Sequence, residues 1–255
     1  MAKSTSDSSR PRSDQTLNLN ASNPQSFQSS PPQPVSQTSS EPQDARVKLV
    51  DRPLSTYFEG DESGMQIDFE GRYSITQPAE ARQMVDIIRK AAPTAKSALD
   101  ATAGWAGNTV YFATAYKRVT AVERNLKTFA MLTNNVKNSK VEGFDADRVT
   151  LLNLDYMAVL SQQKADVIFM DPPWNREGEE WHKNRANVPL YLSDVPVQDI
   201  VRKIFVSTAA KIVALKVPRN FDFDEFAEDL MLYRVRRYDI SNYSFLTIQD
   251  FMNRD

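Results

Sequence analysis

The clearest indication of the fold is the run Ser97-Ala-Leu-Asp100-Ala-Thr-Ala-Gly104-Trp-Ala-Gly107-Asn108-Thr109-Val-Tyr-Phe112. A short apolar run ends at Asp100, two glycines follow, and a second apolar run begins at Thr109. This order predicts a strand, a tight turn and a helix. Glycines in such a turn let the backbone approach a ligand closely and leave helix N–H groups free to bind it. Nucleotide-binding domains of many kinds contain a unit of this type.

Further strands and helices alternate downstream of this unit. Strands are predicted at Val119–Val122, Val149–Leu152, 166–170 and Lys211–Lys216, and helices at 126–138, about 197–206 and about 222–230. Two final extended runs, Leu232–Ile240 and Phe245–Phe251, are expected to close the sheet as an antiparallel pair. Repeated strand–helix–strand units predict an α/β fold, a doubly wound Rossmann-like sheet that binds ligands at the carboxyl ends of its strands.

The first residues differ from the rest of the chain in composition. Residues 1–45 are dominated by Ser, Pro, Gln, Asn and Asp and contain few large apolar side chains. Such a segment cannot bury enough apolar surface to offset its chain entropy. We therefore predict a disordered N-terminal tail, followed by one folded domain over residues 46–255.

Two features are predicted between the tail and the first strand. The run Gly60–Gly64 indicates a turn between short extended pieces. Thr76 is expected to cap a helix that has Pro78 in its first turn, and the apolar residues Met84 and Ile88 of this helix lie at helical spacing.

The composition excludes several chemistries. The chain has no cysteine and therefore no disulfide, thiolate zinc site or cysteine nucleophile, which is compatible with a reducing compartment. His182 is the only histidine, so a histidine-rich metal site is ruled out, and no metal is expected. No apolar run approaches the length of about 18 residues that a membrane span requires. The formal charge of the chain is −2, so nucleic-acid binding requires a local basic patch. The chain is expected to be a monomer.

Acidic residues follow the first three predicted strands. Asp100 ends the first strand, Glu123 follows the second, and Asp155 lies just after the third. Any one of these acids alone could equally be a solvated strand-end residue or a helix cap. Together they predict a pocket for an adenosine with a cationic substituent, S-adenosylmethionine: Asp100 would pair with the cation, Glu123 accept from the ribose hydroxyls and Asp155 from the adenine amine. The spacing D-x-x-x-G-x-x-G differs from the dinucleotide pattern G-x-G-x-x-G, which disfavours an NAD-type enzyme.

An unusual motif, Asp171-Pro172-Pro173-Trp174, directly follows the predicted buried strand Ala165–Met170. Proline has a fixed φ and no N–H, which makes the motif a rigid edge with free backbone carbonyls. Asp171, aided by the Pro172 carbonyl, is predicted to accept a hydrogen bond from an attacking amine. Trp174 offers a face on which a planar base stacks, the alternative being a core tryptophan. The motif predicts methyl transfer to the exocyclic amine of a base, a reaction that depends mainly on alignment.

Several blocks of sequence together resemble the trimethylguanosine synthase family, the RNA cap guanine-N2 methyltransferases. The matching blocks are Glu70-Gly71-Arg72-Tyr73-Ser74-Ile75-Thr76, Asp100–Thr109, Asp155, Ala165–Phe169, Pro172-Pro173-Trp174 and Val217-Pro218-Arg219-Asn220. The last block is the most discriminating, because generic adenine methyltransferases do not share it. The likeness covers roughly residues 55–250.

The resemblance implies a reaction and a set of residue roles. It implies a Rossmann-like methyltransferase that transfers methyl from S-adenosylmethionine to the guanine N2 amine of a 7-methylguanosine RNA cap, giving the dimethyl or trimethyl form. The residues implied to bind the donor are Thr76, Asp100, Gly104, Gly107, Asn108, Glu123 and Asp155. Trp174 is implied to stack on 7-methylguanine, and Arg219 is a candidate for contact with a cap phosphate. The family also implies a nuclear or cytoplasmic location.

The chain departs from the family pattern at the acceptor motif. The family usually has Ser-Pro-Pro-Trp followed by glycines, whereas this chain has Asp171 and then Asn175-Arg176-Glu177. Asp-Pro-Pro-aromatic is typical of adenine-N6 and ribosomal guanine-N2 enzymes, so an exocyclic amine in another nucleic acid is an alternative acceptor. A non-catalytic RNA-binding module is a further alternative, which the presence of Asp100, Pro173 and Trp174 disfavours.

The segment 175–194 is long and polar, and it starts beside the acceptor motif. Long loops in compact domains tend to be lids or binding loops. Trp181, His182, Lys183 and Arg185 lie in this segment. We predict that these four residues cover the base and contact phosphates; a solvated insertion with Trp181 packed on the body is the alternative.

Overall fold

The computed structural model describes residues 52–174 and 186–251. Its helices are α1 (Phe69–Ser74), α2 (Pro78–Ala91), α3 (Thr109–Ala115), α4 (Leu126–Asn138), α5 (Tyr156–Val159), α6 (Val197–Ser207) and α7 (Phe223–Asp229). Its strands are β1 (Ser97–Asp100), β2 (Arg118–Val122), β3 (Val149–Leu152), β4 (Val167–Met170), β5 (Tyr191–Leu192), β6 (Val195–Pro196), β7 (Ile212–Pro218), β8 (Tyr233–Ile240) and β9 (Tyr243–Asp250). The tail predicted over residues 1–45 lies outside the described residues.

Seven strands form one sheet in the order β3-β2-β1-β4-β7-β9-β8. The strands β3, β2, β1, β4 and β7 are parallel, and β9 pairs antiparallel with both β7 and β8. The predicted doubly wound sheet with a C-terminal antiparallel pair is confirmed. The chain order reverses between β1 and β4, so the carboxyl ends of these neighbouring strands border the crevice in which such sheets bind ligands.

Apolar side chains of the central strands pack on both faces of the sheet. Along β4, Val167 and Phe169 belong to one core cluster and Ile168 and Met170 to the other, because successive side chains of a strand point to opposite faces. Helices α2, α3 and α4 contribute to the first cluster, and α5, α6 and α7 to the second. Burial on both faces explains why these parallel strands are continuous apolar runs.

The segment before α2 differs from its prediction. The turn at Gly60–Gly64 is present, with both terminal glycines at positive φ, but a 3-10 helix and α1 flank it instead of extended pieces. Asp68 caps α1 by accepting a hydrogen bond from the Gly71 N–H at 3.0 Å. A Cβ on Gly71 would lie 2.7 Å from Cε2 of Trp105, so glycine allows α1 to pack closely against the turn after β1.

One side chain of α4 fastens this segment to the domain. Asn135 is fully buried, and its Oδ1 accepts a hydrogen bond from the Gln66 N–H at 2.7 Å. Its Nδ2 donates to the carbonyl oxygens of Gln66 at 2.7 Å and Trp105 at 3.0 Å. The segment before α1 and the turn after β1 therefore share one set of hydrogen bonds.

Thr76 does not cap α2, so that prediction is wrong. Gln77 is the N-cap residue, without a side-chain hydrogen bond, and Pro78 opens the helix as expected. Thr76 is buried, and its hydroxyl oxygen lies 3.1 Å from both Nδ2 of Asn108 and Nζ of Lys216. The Thr76 hydroxyl therefore contacts Asn108 and Lys216 and does not cap the helix.

The predicted loop 175–194 is shorter than expected at its C-terminal end. A two-stranded antiparallel hairpin, β5–β6, begins at Tyr191 because Val188, Leu190 and Leu192 are buried in alternation. Trp181, His182, Lys183 and Arg185 lie outside the described residues, so their roles stay predictions. In the part of the chain that the structure describes, no helix is long and apolar enough to cross a membrane.

Candidate active site

Asp100 lies fully buried at the carboxyl end of β1. Its Oδ2 accepts a hydrogen bond from the Thr109 hydroxyl at 2.7 Å, and its Oδ1 from the Thr102 N–H at 3.4 Å. Burial raises the pKa of Asp100 to about 7, and the nearby Asp171 and Glu123 carboxylates add to this rise against the effect of the two hydrogen bonds. A cation bound beside Asp100 would stabilise its ionised form.

The turn between β1 and α3 has a strained, closely packed backbone. Gly104 and Ala106 have φ values of 53° and 77°, in the left-handed region that favours glycine. A Cβ on Gly107 would come within 2.6 Å of Cγ1 of Ile75 and 3.0 Å of the carbonyl oxygen of Thr76. Glycine at this position therefore lets the turn contact the segment before α2.

Asn108 closes the turn and retains an acceptor. Its Nδ2 donates to the Thr76 hydroxyl at 3.1 Å. Its Oδ1 is buried and has no hydrogen-bond partner among residues 52–174 and 186–251. A buried acceptor without a partner is costly, so this oxygen is suited to receive a hydrogen bond from a ligand.

Glu123 and Asp155 follow the neighbouring strands β2 and β3. Glu123 accepts from the Gly104 N–H at 3.1 Å and the Asn125 N–H at 2.7 Å, one on each carboxylate oxygen. Asp155 caps α5 through the Met157 N–H and also accepts from the Ser193 hydroxyl at 2.7 Å. The helix-cap interpretation of Asp155 thus holds alongside any binding role. Each carboxylate oxygen has more than one acceptor position, so both groups can still bind a ligand.

We use the name donor half for the residues predicted to bind the methyl donor: Asp100, the turn 104–108, Glu123 and Asp155. It fits S-adenosylmethionine: the buried Asp100 suits a cation, Asn108 offers an orphan acceptor, and two further carboxylates follow the adjacent strands. Among the described residues, no cluster of histidine, aspartate and glutamate is arranged to hold a metal ion.

Asp171 lies at the end of β4, beside the end of β1. Its N–H donates to the Thr102 hydroxyl at 2.7 Å, which ties the Asp-Pro-Pro-Trp motif to the turn of the donor half. Its Oδ2 accepts from Nζ of Lys216 at 2.8 Å. Burial raises the pKa of Asp171, and the ammonium group of Lys216 opposes that rise.

Trp174 is half-buried at the end of the motif and packs against both core clusters. Its ring centroid lies 6.4 Å from that of Tyr243, at an interplanar angle of 56°. Nζ of Lys216 lies 5.5 Å from the Trp174 ring centroid and 5.0 Å from that of Tyr243. Within the motif, Pro172 is buried and Pro173 is exposed. We call Asp171–Trp174, Lys216 and Tyr243 the acceptor half.

Lys216 is the residue of this site that sequence reasoning missed. It lies on β7 with 5% of its surface exposed, inside a strand that is otherwise apolar. Besides Asp171, its Nζ donates to the Thr76 hydroxyl at 3.1 Å and the Ser74 carbonyl at 3.3 Å. A lysine in the middle of a buried strand is itself a signal, because an unpaired ammonium group is almost never buried.

Arg219 lies beyond β7 and is tied to the β8–β9 hairpin. Its guanidinium group contacts the Asp239 carboxylate at 3.1 Å and donates to the Ser241 carbonyl at 2.7 Å. Both ionic partners are about half exposed, so the guanidinium group remains accessible to an anion. Its predicted contact with a cap phosphate stays a prediction.

Comparisons of the sequence with known proteins identify related chains. A family model described as RNA cap guanine-N2 methyltransferase matches residues 95–250, more than half of the chain. An uncharacterized protein of Acanthamoeba polyphaga mimivirus is 30% identical over 153 residues, 59% of this chain and 57% of that protein. The trimethylguanosine synthase of Saccharomyces cerevisiae is 25% identical over 161 residues, 61% of this chain and 49% of that protein. The chain thus spans about half the length of these curated relatives.

Solved structures agree on the fold. A methyltransferase from Geobacter sulfurreducens superposes with a TM-score of 0.52 at 16% identity, covering 81% of this chain and 96% of that one. At this identity the likeness concerns the Rossmann-like methyltransferase fold alone.

Proposed function

The chain belongs to the RNA cap guanine-N2 methyltransferase family, and from this premise we propose that it methylates the exocyclic N2 amine of a 7-methylguanosine cap on RNA. The observation that carries the proposal is the position of Asp171 and Trp174, which follow β4 directly beside the buried Asp100 of β1. A base stacked on Trp174 and a methyl donor held at Asp100 would share one crevice, with the exocyclic amine of the base facing the donor. The family also supports capped RNA as the partner and the nucleus or cytoplasm as the location.

S-adenosylmethionine is the donor in this proposal. It would supply an electrophilic methyl group: as the nitrogen–carbon bond forms, the carbon–sulfur bond breaks and sulfur keeps the electron pair. Asp100 would bind its cationic part, Glu123 the ribose hydroxyls and Asp155 the adenine amine, while the turn 104–108 would offer N–H groups and the Asn108 oxygen. Thr76 would support the pocket through its hydrogen bond with Asn108.

The acceptor half would align the amine. Asp171, together with the Pro172 carbonyl, would accept hydrogen bonds from the N2 amine and so direct its lone pair toward the methyl group. Trp174 would stack on the base and fix its plane. Nitrogen becomes cationic on methylation and then loses a proton readily to solvent, so no dedicated general base is needed.

A second candidate acceptor is an exocyclic amine in another nucleic acid, adenine N6 or a ribosomal guanine N2. One observation favours it: the ammonium group of Lys216 already lies 5.5 Å from the Trp174 ring centroid. A 7-methylguanine carries a positive charge, and a neighbouring cation reduces its attraction to the ring.

The test is methyl transfer from labelled S-adenosylmethionine to four acceptors: 7-methylguanosine triphosphate, GTP, uncapped RNA and DNA. The labelled atom is mapped by mass spectrometry. Trp174→Phe, which keeps an aromatic face, serves as the matched control for Trp174→Ala.

Label on N2 of the 7-methylated cap alone supports the cap reaction. Label on internal bases of RNA or DNA would replace it with the second candidate. No transfer to any of the four acceptors, with donor binding intact, would contradict both and favour a binding module.

A further inference from the structure

We propose that Lys216 is a positioning residue for Asp171: its ammonium group holds one carboxylate oxygen and leaves the other free to accept from the acceptor amine. The inference rests on the proposed function, because it assumes that Asp171 receives the amine. It concerns a lysine that no motif of the sequence marks.

The geometry of Lys216 indicates a structural partner of Asp171 rather than a substrate ligand. An ammonium group has three N–H donors, and Nζ of Lys216 has three oxygen acceptors, on Ser74, Thr76 and Asp171. With 5% of the residue exposed, no donor remains for a phosphate. Lys216 therefore connects three segments: β7, the residues before α2, and the end of β4.

The carboxylate of Asp171 uses only part of its capacity. Among the described residues, Lys216 alone donates a side-chain hydrogen bond to Asp171, and it does so to Oδ2. Oδ1 has no donor among these residues. An ionised carboxylate only accepts hydrogen bonds, whereas a protonated one also donates, so the ionised form is the one suited to an amine's N–H.

The surroundings of Asp171 make this counter-ion necessary. Asp100 of β1 faces it with a like charge, Tyr243 of β9 faces it with a neutral phenol, and Lys216 of β7 provides the positive charge. Burial raises the pKa of Asp171, so loss of Lys216 would leave a carboxyl group that is protonated over a wider pH range. The family's usual serine at this position carries no charge and requires no such partner.

A stability cycle tests the pairing without any activity. We compare the Tm of Lys216→Met, Asp171→Ser and the double variant, with Lys211→Met, just before the same strand, as the control. Lys216→Met should lower the Tm by about 10 °C, because it leaves a largely buried carboxylate unpaired. Adding Asp171→Ser should restore at least half of that loss, and Lys211→Met should change little. Additive losses in the double variant would overturn the pairing.

The pH profile of turnover tests the positioning role. At saturating donor, which removes the titration of Asp100 from the rate, kcat should fall on the acid side as Asp171 is protonated. In Lys216→Met this fall should move to higher pH by roughly one to two pH units, whereas a lysine that only packs would lower kcat equally at all pH values. The latter result would overturn the inference. Absence of turnover in the unmodified protein would instead contradict the proposed function, and the stability cycle would then decide the role of Lys216.

Discussion

The donor half of the site takes its carboxylates from the ends of three consecutive strands, β1, β2 and β3, whereas the acceptor half joins β4, β7 and β9, which other strands separate along the chain. Each donor acid follows a parallel strand, and a strand–turn–helix unit supplies the glycines between them. The acceptor half depends on the pairing of β4, β7 and β9, which brings Lys216 and Tyr243 beside Trp174. We therefore expect substitutions on β4, β7 or β9 to alter the acceptor half more than the donor half.

The largest expected effect is loss of the donor half through Asp100→Ala. Removing this buried carboxylate should weaken S-adenosylmethionine binding about 100-fold, because a charge-assisted contact in a buried site contributes about 3 kcal/mol. Calorimetric titration measures the affinity, and Asp86→Ala on the exposed side of α2 is the control. Unchanged affinity in Asp100→Ala would show that the donor is bound elsewhere.

Trp174→Ala should damage the acceptor half alone. Stacking of a base on an aromatic ring contributes about 1–3 kcal/mol, so kcat/KM for the acceptor should fall by roughly 10- to 100-fold while the Kd of the donor stays constant. Steady-state kinetics and donor titration together check this. A parallel loss of donor affinity would mean that Trp174 supports the fold and that the two halves are not separable.

Gly107→Ala should disturb the boundary between the halves, where the turn contacts Ile75 and Thr76. The added Cβ would lie 2.6 Å from Cγ1 of Ile75, and overpacking of this kind costs about 1–3 kcal/mol, or a fall in Tm of roughly 5 °C. Gly104→Ala is the contrast for backbone strain: its Cβ would have space, with the Thr102 carbonyl at 4.0 Å, but its φ of 53° disfavours alanine. An unchanged Tm in Gly107→Ala would show that Ile75 and Thr76 can shift and that this contact does not require glycine.

Donor binding should depend on pH through Asp100. Its pKa of about 7 in the free protein means that acidification protonates it and removes the negative charge that pairs with the donor. The affinity should therefore rise about tenfold between pH 6 and pH 8. Titrations across this range measure the slope, and Asp100→Asn should bind weakly with no slope. A slope that persists in Asp100→Asn would assign the titration to another group.

The smallest effect is expected for deletion of residues 1–44. Their composition predicts no contribution to a packed core, so the Tm should not change. Thermal unfolding of the full and shortened chains decides the matter. A fall of several degrees would show that the tail docks on the domain.

The positions of the donor-half carboxylates at the strand ends could be predicted because each signal is local. Apolar runs that end in an acid, at Asp100 or Glu123, specify both the strand and the residue at its tip. Lys216 could not be placed in this way, because its partners Thr76 and Asp171 are 140 and 45 residues away along the chain. The helix α1 was missed for a related reason, since Gly71 weakens its local propensity and packing against Trp105 supplies the compensation.

The hydrogen bonds of the Asn135 side chain to Gln66 and Trp105 affect how the domain opens. They join the Gln66 segment to the turn after β1, so we expect the amide hydrogens of both to exchange with solvent as one cooperative unit. A ligand that steadies the turn would then slow exchange at Gln66 as well. Deuterium uptake around Gln66 would thus report whether the crevice is occupied, even if this segment does not contact the ligand.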